Sequence, residues 1–346
     1  MNAECYKHIL EFKKPSGTSR GVLKTKETWF IVIVDGSKKG IGECGILRTL
    51  SIDDRPDYED KLKWVCDNVH LGVNALLESL IEFPSIQFGV EMAFKSLESV
   101  SPFILFPSAF TQKQNHILIN GLIWMGDKDF MCKQIKDKLK EGFTCIKMKI
   151  GAIDFKTELS LLSYIRSQFS SDIIELRVDA NGAFAPQDAS DKLKQLSEYD
   201  LHSIEQPIYK GQHKEMARLC EETPLPIALD EELIGVFYKA DKLKLLKTIQ
   251  PQYIILKPSL IGGFRGTKEW IDLAESLGIH WWITSALESN IGLNAIAQYT
   301  YTLDNKMPQG LGTGGLYTNN FDCPLKVVHG NLVYDAQKEW KVNYLK

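Results

Sequence analysis

Cys145-Ile146-Lys147-Met148-Lys149-Ile150-Gly151 decides the fold. Successive side chains of a strand face opposite ways, so Ile146, Met148 and Ile150 share one face and Lys147 and Lys149 the other. Two ammonium groups therefore point the same way from an apolar strand. Outward from it, four more apolar runs each end in an acid or a lysine: Leu176-Arg177-Val178-Asp179, Ser203-Ile204-Glu205-Gln206-Pro207, Ile227-Ala228-Leu229-Asp230-Glu231 and Ile254-Ile255-Leu256-Lys257-Pro258. Their spacing, roughly 25 to 31 residues, is the length of one strand plus one helix. A lone surface strand could carry two lysines; five such runs in succession form a repeating βα pattern.

From Asn115 the rhythm is regular. Strands are expected at 117–119, 146–150, 174–179, 202–206, 226–230, 253–257 and 280–285, with a last extended stretch near 309–313. Helices are expected at 127–140, 155–169, 186–198, 213–222, 239–248, 264–277 and 292–303. Eight strands and seven helices, none carrying a Gly-rich phosphate turn, favour a closed barrel over an open doubly wound sheet. The expected fold class is α/β, a (β/α)7β TIM-like barrel, with an α+β capping domain formed by the N-terminal part and the C-terminal tail. Boundaries are placed at 1–112 for the capping part, 113–320 for the barrel and 321–346 for a tail that returns to the capping part.

The N-terminal part reads as strands followed by helices. Residues 6–13 alternate weakly, 14–21 form a polar loop, and Thr28-Trp29-Phe30-Ile31-Val32-Ile33-Val34 is a strand that turns at Asp35-Gly36. Gly40-Ile41-Gly42-Glu43-Cys44-Gly45 matches G-x-G-x-x-G, but no helical periodicity follows, so a dinucleotide-binding reading is rejected. Helices are expected over 57–69 and 73–83 and again after Pro84, where Ile86, Val90, Phe94 and Leu97 recur as a core face.

With 346 residues, 44% hydrophobic and 25% charged, the chain has the make-up of an ordinary globular protein with a large core. A net charge of -3 gives no reason to expect nucleic acid or an anionic membrane as partner. Seven scattered cysteines, never in a C-x-x-C pair, argue against a disulfide framework and a thiolate zinc site and point to a reducing, cytoplasmic compartment. Residues 1–10 carry charges where a signal peptide needs an apolar core, and no run approaches a membrane span.

In a parallel barrel the C-terminal ends of all strands converge on one mouth. Asp179, Glu205 and either Asp230 or Glu231 would meet there, between Lys149 and Lys257. Three carboxylates in one pocket repel each other unless a cation lies between them. All-oxygen donors suit Mg2+ or Mn2+ better than zinc. Such an ion beside a substrate carboxylate stabilises the enediolate left when the α-proton departs, and a neutral lysine can take that proton. Lys147, Lys257 and the cation crowd Lys149 with positive charge and so favour its neutral amine. Any one of the acids reads equally well as a helix cap; three at successive strand ends, between two lysines, do not.

Lys147-Met148-Lys149, Asp179-Ala180-Asn181-Gly182, Glu205-Gln206-Pro207, Asp230-Glu231 and Lys257-Pro258-Ser259-Leu260-Ile261-Gly262-Gly263 together resemble the enolase superfamily, in its muconate lactonizing subgroup. The resemblance implies that Asp179, Glu205 and Asp230 bind Mg2+, with Lys149 the acid/base and Lys257 facing the other side of a small carboxylate substrate. Thr284-Ser285-Ala286-Leu287-Glu288-Ser289-Asn290-Ile291-Gly292 looks like the S-x-L-E-S-x-x-G signature of the o-succinylbenzoate synthases. That likeness implies dehydration of 2-succinyl-6-hydroxy-2,4-cyclohexadiene-1-carboxylate, a step of menaquinone synthesis. The substrate-binding candidates are then Lys147, Ser285, Glu288, Arg20 and Gly314, the last in a glycine-rich stretch able to offer N–H groups to an anionic tail. Ser289 reads better as a helix cap. The alternative activity is racemisation or epimerisation of an N-acylamino acid or dipeptide, with a base on each face; a non-catalytic binding protein on the same fold is a further alternative.

Overall fold

The computed structural model describes residues 1–18 and 21–342. Its first layer grows from the β-branched and aromatic run 28–34, the centre of β2 (Gly21–Asp35), which pairs antiparallel with β1 (Asn2–Thr18) and β3 (Lys38–Gly45). The polar stretch 14–18, expected as loop, is strand. Register jumps between Glu11↔Thr25 and Ser16↔Leu23, so residues 12–15 lie opposite Lys24 alone. Pro15, which cannot donate to a ladder, sits in this irregularity. The extended hairpin reaches over the barrel: Gly17 bridges Met125, and Phe12 bridges Tyr317.

Helices α1 (Tyr58–Asp67), α2 (Gly72–Ser79) and α3 (Pro84–Glu98) pack on this sheet. The apolar face of α3 read from sequence meets the sheet helices, but α3 is buried on its other side as well. Phe88 and Met92 turn toward the barrel core, with Phe88 edge-on to Phe264 at 5.4 Å. The G-x-G-x-x-G match finds its reason here. A Cβ on Gly42 would stand 1.8 Å from the carbonyl oxygen of Gly89, so the glycines let β3 and α3 touch backbone to backbone.

The barrel strands are β5 (Gly121–Ile123), β6 (Cys145–Lys149), β7 (Glu175–Asp179), β8 (Ser203–Glu205), β9 (Ile227–Leu229), β10 (Tyr253–Leu256) and β11 (His280–Ile283), all parallel and in sequence order. Between them run α4 (Lys128–Lys140), α5 (Phe155–Gln168), α6 (Pro186–Ser197), α7 (His213–Glu222), α8 (Lys239–Ile249), the short α9 (Pro258–Ile261) and α10 (Gly263–Ser276); α11 (Asn290–Thr302) follows β11. Closure is made by two residues: Gln309 bridges Ile119 and Gly310 bridges Thr284, both in parallel. The first strand departs from expectation. Ile117–Leu118 is β4, and it pairs with β13 (Asn331–Tyr334) of the tail hairpin, whose other strand is β12 (Leu325–Val328). One extended run from 117 to 123 is thus shared between two sheets. The tail divides accordingly: its hairpin joins β4, whereas Phe321 packs against His8 and Phe30 of the first sheet. Among the described residues no helix is long and apolar enough to cross a membrane.

Two carboxylates, buried Glu43 and half-buried Glu91, pin the first layer to the barrel. Helix N-termini leave N–H groups without partners and favour negative charge. Glu43 of β3 accepts from Ser289 N (2.8 Å), Ser289 Oγ (2.5 Å) and Gly292 N (2.8 Å) at the start of α11. Glu91 of α3 accepts from Phe264 N (2.5 Å) and Arg265 N (3.0 Å) at the start of α10. Gly263 makes room for it, since a Cβ there would lie 2.1 Å from Glu91 Oε2.

Burial pushes the Glu91 carboxyl from its ordinary 4.5 up to about 7, against the opposing pull of the Arg265 and Phe264 amides. A carboxyl raised on folding contributes stability that is fully present below the unfolded value and lost as pH rises through the folded one. Glu91→Gln is therefore expected to shrink the loss of unfolding free energy between pH 5 and pH 8 by roughly 1–3 kcal/mol, read from urea denaturation at the two pH values. An unchanged pH difference would refute the assignment.

Candidate active site

Parallel register builds the site. Lys149 lies opposite Asp179, and Asp179 opposite Glu205, so one layer of the β6–β7–β8 ladder carries an amine and two carboxylates. Lys147, two residues earlier on the same face, forms the layer beneath. Asp230 directly follows β9, and Lys257 follows β10, where Pro258 opens α9 with the fixed φ that suits a first helical position.

All three acids are 2% exposed or less. Burying a carboxylate unpaired costs several kcal/mol, and each finds an amine. Lys147 Nζ lies 2.9 Å from Asp179 Oδ2 and also contacts Glu205. Lys149 Nζ donates to the same Asp179 oxygen at 2.9 Å. Lys257 Nζ contacts Asp230 and stands 3.9 Å from Glu205 Oε1. Burial would raise the Asp179 carboxyl, but Lys147 and Lys149 outweigh it and hold it well below the usual carboxylate range. Asp230 is also lowered, Lys257 overcoming burial. Glu205 goes the other way, because burial and the charge of Asp179 exceed the pull of Lys147. Lys147 and Lys257 are both raised, their acid partners outweighing desolvation.

Glu205 is thus the least satisfied of the three acids, and its Oε1 is buried with no hydrogen-bond donor among the described residues. Among the described residues no three acidic, His or Cys side chains are set as a ready cation cage; the carboxylate oxygens face ammonium groups instead. The donor chemistry still fits a hard cation, with three buried carboxylates and one oxygen left unused.

Asn181 has a φ of +44°, in the left-handed region that asparagine tolerates better than most residues. Its N–H donates to Asp179 Oδ1 (3.0 Å), its Oδ1 accepts from Lys149 Nζ (2.7 Å), and its Nδ2 donates to Glu231 Oε1 (2.9 Å). Lys149 is therefore held from two sides. The two acids that periodicity left open also separate: Asp230 meets Lys257, and Glu231 backs Asn181. Sequence reading gave Asn181 no role and left Glu231 only as the alternative to Asp230, because the backbone twist that brings the two together has no periodic signal.

A cavity of about 490 Å³ opens above these groups, within the usual range for a small-molecule site. Lys147, Lys149, Asp179, Asn181 and Lys257 form one wall; residues 21–23 and 47–50 of the first layer roof it; Ser285, Leu287, Gly310, Gly312 and Thr313 form the far wall. Ser285 Oγ and Thr313 Oγ1 are hydrogen-bonded at 2.6 Å. Asp179 is the one acid lining the cavity among the described residues, and two lysines already claim it. Arg48, at the rim, is paired with Glu27 and Asp54, but half exposed, where such pairs contribute about 1 kcal/mol or less.

Two of the expected substrate contacts do not line this cavity. Glu288 lies outside the cavity, fully buried, accepting from Ser259 Oγ at 2.5 Å. Gly314 is also outside: its carbonyl accepts from Asn320 Nδ2 at 2.9 Å, and Gly312 and Thr313 take the wall instead. Arg20 lies outside the described residues. Ser289 Oγ accepts from Ile291 N at 3.1 Å, as a helix cap does. Trp124 is half-buried and lines the cavity.

Residues 131–337 match the family described as Enolase C-terminal domain-like. The chain is 46% identical to an o-succinylbenzoate synthase of Desulfotalea psychrophila (strain LSv54 / DSM 12343), over 93% of this chain and 96% of that one. The crystal structure of MenC from Desulfotalea psychrophila LSv54 aligns with a TM-score of 0.86 at 41% identity, covering 96% of this chain and 99% of the other. The substrate-liganded L-Ala-D/L-Glu epimerase from Bacillus subtilis aligns with a TM-score of 0.82 over 99% and 96% of the two chains, but at 21% identity, a likeness in fold.

Removing the Lys147 amine would strand two buried carboxylates. Lys147→Met is expected to lower the free energy of unfolding by roughly 3–5 kcal/mol in chelator-containing buffer, as measured by urea denaturation; a change below about 1 kcal/mol would show that the ammonium does not balance the acids.

Proposed function

This chain belongs to the Enolase C-terminal domain-like family, and on that footing we propose that it performs the o-succinylbenzoate synthase reaction, dehydrating 2-succinyl-6-hydroxy-2,4-cyclohexadiene-1-carboxylate to o-succinylbenzoate. The observation that carries the reading is a cavity faced by Lys149 and Lys257, from the second and sixth of seven barrel strands, with no uncommitted acid in its wall among the described residues. Such a wall suits a dicarboxylate. A dipeptide would bring its ammonium group to a surface with no free carboxylate, which weighs against the epimerase reading. The near full-length likeness to a synthase points the same way.

In this mechanism Lys149 takes the proton α to the ring carboxylate, oriented for it by Asp179 and Asn181. Lys257 faces the developing negative charge from the opposite strand. The hydroxyl leaves from the adjacent carbon and takes the proton back from Lys149, so one C–H and one C–O bond break, water forms and the ring becomes aromatic. A divalent cation, Mg2+ or Mn2+, held by Asp179, Glu205 and Asp230, would supply positive charge to the enediolate oxygens. The Ser285–Thr313 hydroxyl pair receives the succinyl carboxylate, and the roof formed by 21–23 and 47–50 excludes water.

An absorbance assay with purified protein, Mg2+ and the diene is the direct test. Turnover is expected, and Lys149→Ala is expected to cut kcat by roughly 10² or more. Deuterium entering the α-position of N-succinylamino acids, without diene turnover, would move the assignment to a racemase. Mg2+ is also expected to raise the melting temperature, by mass action equivalent to about 2.7 kcal/mol at a hundredfold excess over Kd. Asp230→Asn should abolish that shift, and a shift kept at full size would remove Asp230 from the cation site.

A further inference from the structure

Lys257 enters the cavity from the start of a helix only four residues long. So short a helix does not by itself fix the direction of a long side chain. Ser259, two residues on and wholly buried, donates from its hydroxyl to Glu288 Oε1 at 2.5 Å. Glu288 comes from the loop after β11, so this one bond ties the ends of the sixth and seventh barrel strands together. Capping of α11 does not account for it. Asn320, Ser289 Oγ and Glu43 already take the N–H groups of Asn290, Ile291 and Gly292 in the first turn of that helix, whereas the Glu288 bond runs to the segment bearing the lysine.

The carboxyl is itself firmly placed. Ser289, its chain neighbour, is held by Glu43 through both N and Oγ. On its other side Leu287 is anchored by the Tyr317 hydroxyl, which donates to the Leu287 carbonyl at 2.7 Å. Lys26 Nζ, buried and without a hydrogen-bond partner among the described residues, adds a positive charge that acts on Glu288. Glu288 therefore has a fixed position from which to hold something else.

We infer that Glu288 is a positioning residue for Lys257, acting through Ser259 to set the direction in which the lysine enters the cavity. The inference rests on the part given to Lys257 in the proposed reaction. Ser259→Ala is expected to lower kcat about tenfold with KM within twofold, whereas Glu288→Gln, which keeps an oxygen acceptor, stays within threefold of the parent enzyme. In a Lys257→Met background the serine change is expected to cost less than twofold more, since its effect passes through the lysine. An additive tenfold loss in that background, or a raised KM at constant kcat, would mean that the pair merely shapes the wall. A second readout is independent of turnover. With lysines carrying 13C-methyl labels, the Lys257 resonance, identified by its loss in Lys257→Met, is expected to shift and broaden in Ser259→Ala. An unchanged resonance overturns the inference whatever the substrate is; a shifted resonance in a protein inactive on the diene upholds the positioning and overturns the reaction.

Discussion

Mutual repulsion among three buried carboxylates is the constraint to which the rest of this molecule answers. Parallel register forces Asp179 and Glu205 side by side, and the end of the next strand adds Asp230. Positive charge must therefore be brought in, and the chain brings it from the same strand ends. Lys147 and Lys149 reach Asp179 from one neighbouring strand, and Lys257 reaches Asp230 from another. The balance is uneven: Asp179 is held ionised, while Glu205 is left with a buried oxygen that accepts no hydrogen bond from the described residues. An arrangement that balanced every acid with lysines alone would leave nothing for a cation to do.

A second use of acid joins the two layers. Glu43 and Glu91 leave the first layer to cap the helices that follow the sixth and seventh strands. Two short stretches of barrel are thereby oriented from outside it, and these are the stretches next to Lys257 and Ser285. The roof over the cavity and the loops that wall it are parts of one hydrogen-bonded unit, so the cavity has its shape only when both layers are present.

Much of this was legible in the sequence, for reasons that differ by level. Hydrophobic periodicity located the strands and long helices of the barrel to within about two residues from β6 onward, since each strand is buried on both faces and most helices are buried on one. The residues closing each strand, Lys149, Asp179 and Glu205, could be read because position along a strand fixes position at the mouth. What could not be read depends on contacts far along the chain. Ile117–Leu118 looks like any barrel strand until the tail hairpin claims it. Glu288 sits one residue from the helix cap Ser289 and three from the cavity residue Ser285, and no local pattern says which way it turns. The glycines at 42 and 263 announce close approach without naming what approaches, which proves to be a helix backbone in one case and a carboxylate in the other.

Closure of the barrel by Gln309 and Gly310 has a consequence for the order of events in synthesis. The bridge from Ile119 to Gln309 joins residues 190 positions apart, a contact of high order that pays its loop entropy late. A nascent chain that has emerged as far as Lys257 already holds every acid and amine of the mouth, yet it is an open sheet with two bare edges. Until about fifty more residues follow, the charged groups face water and the unpaired strands are open to wrong partners, so the vulnerable interval for this protein lies between making the chemistry and enclosing it.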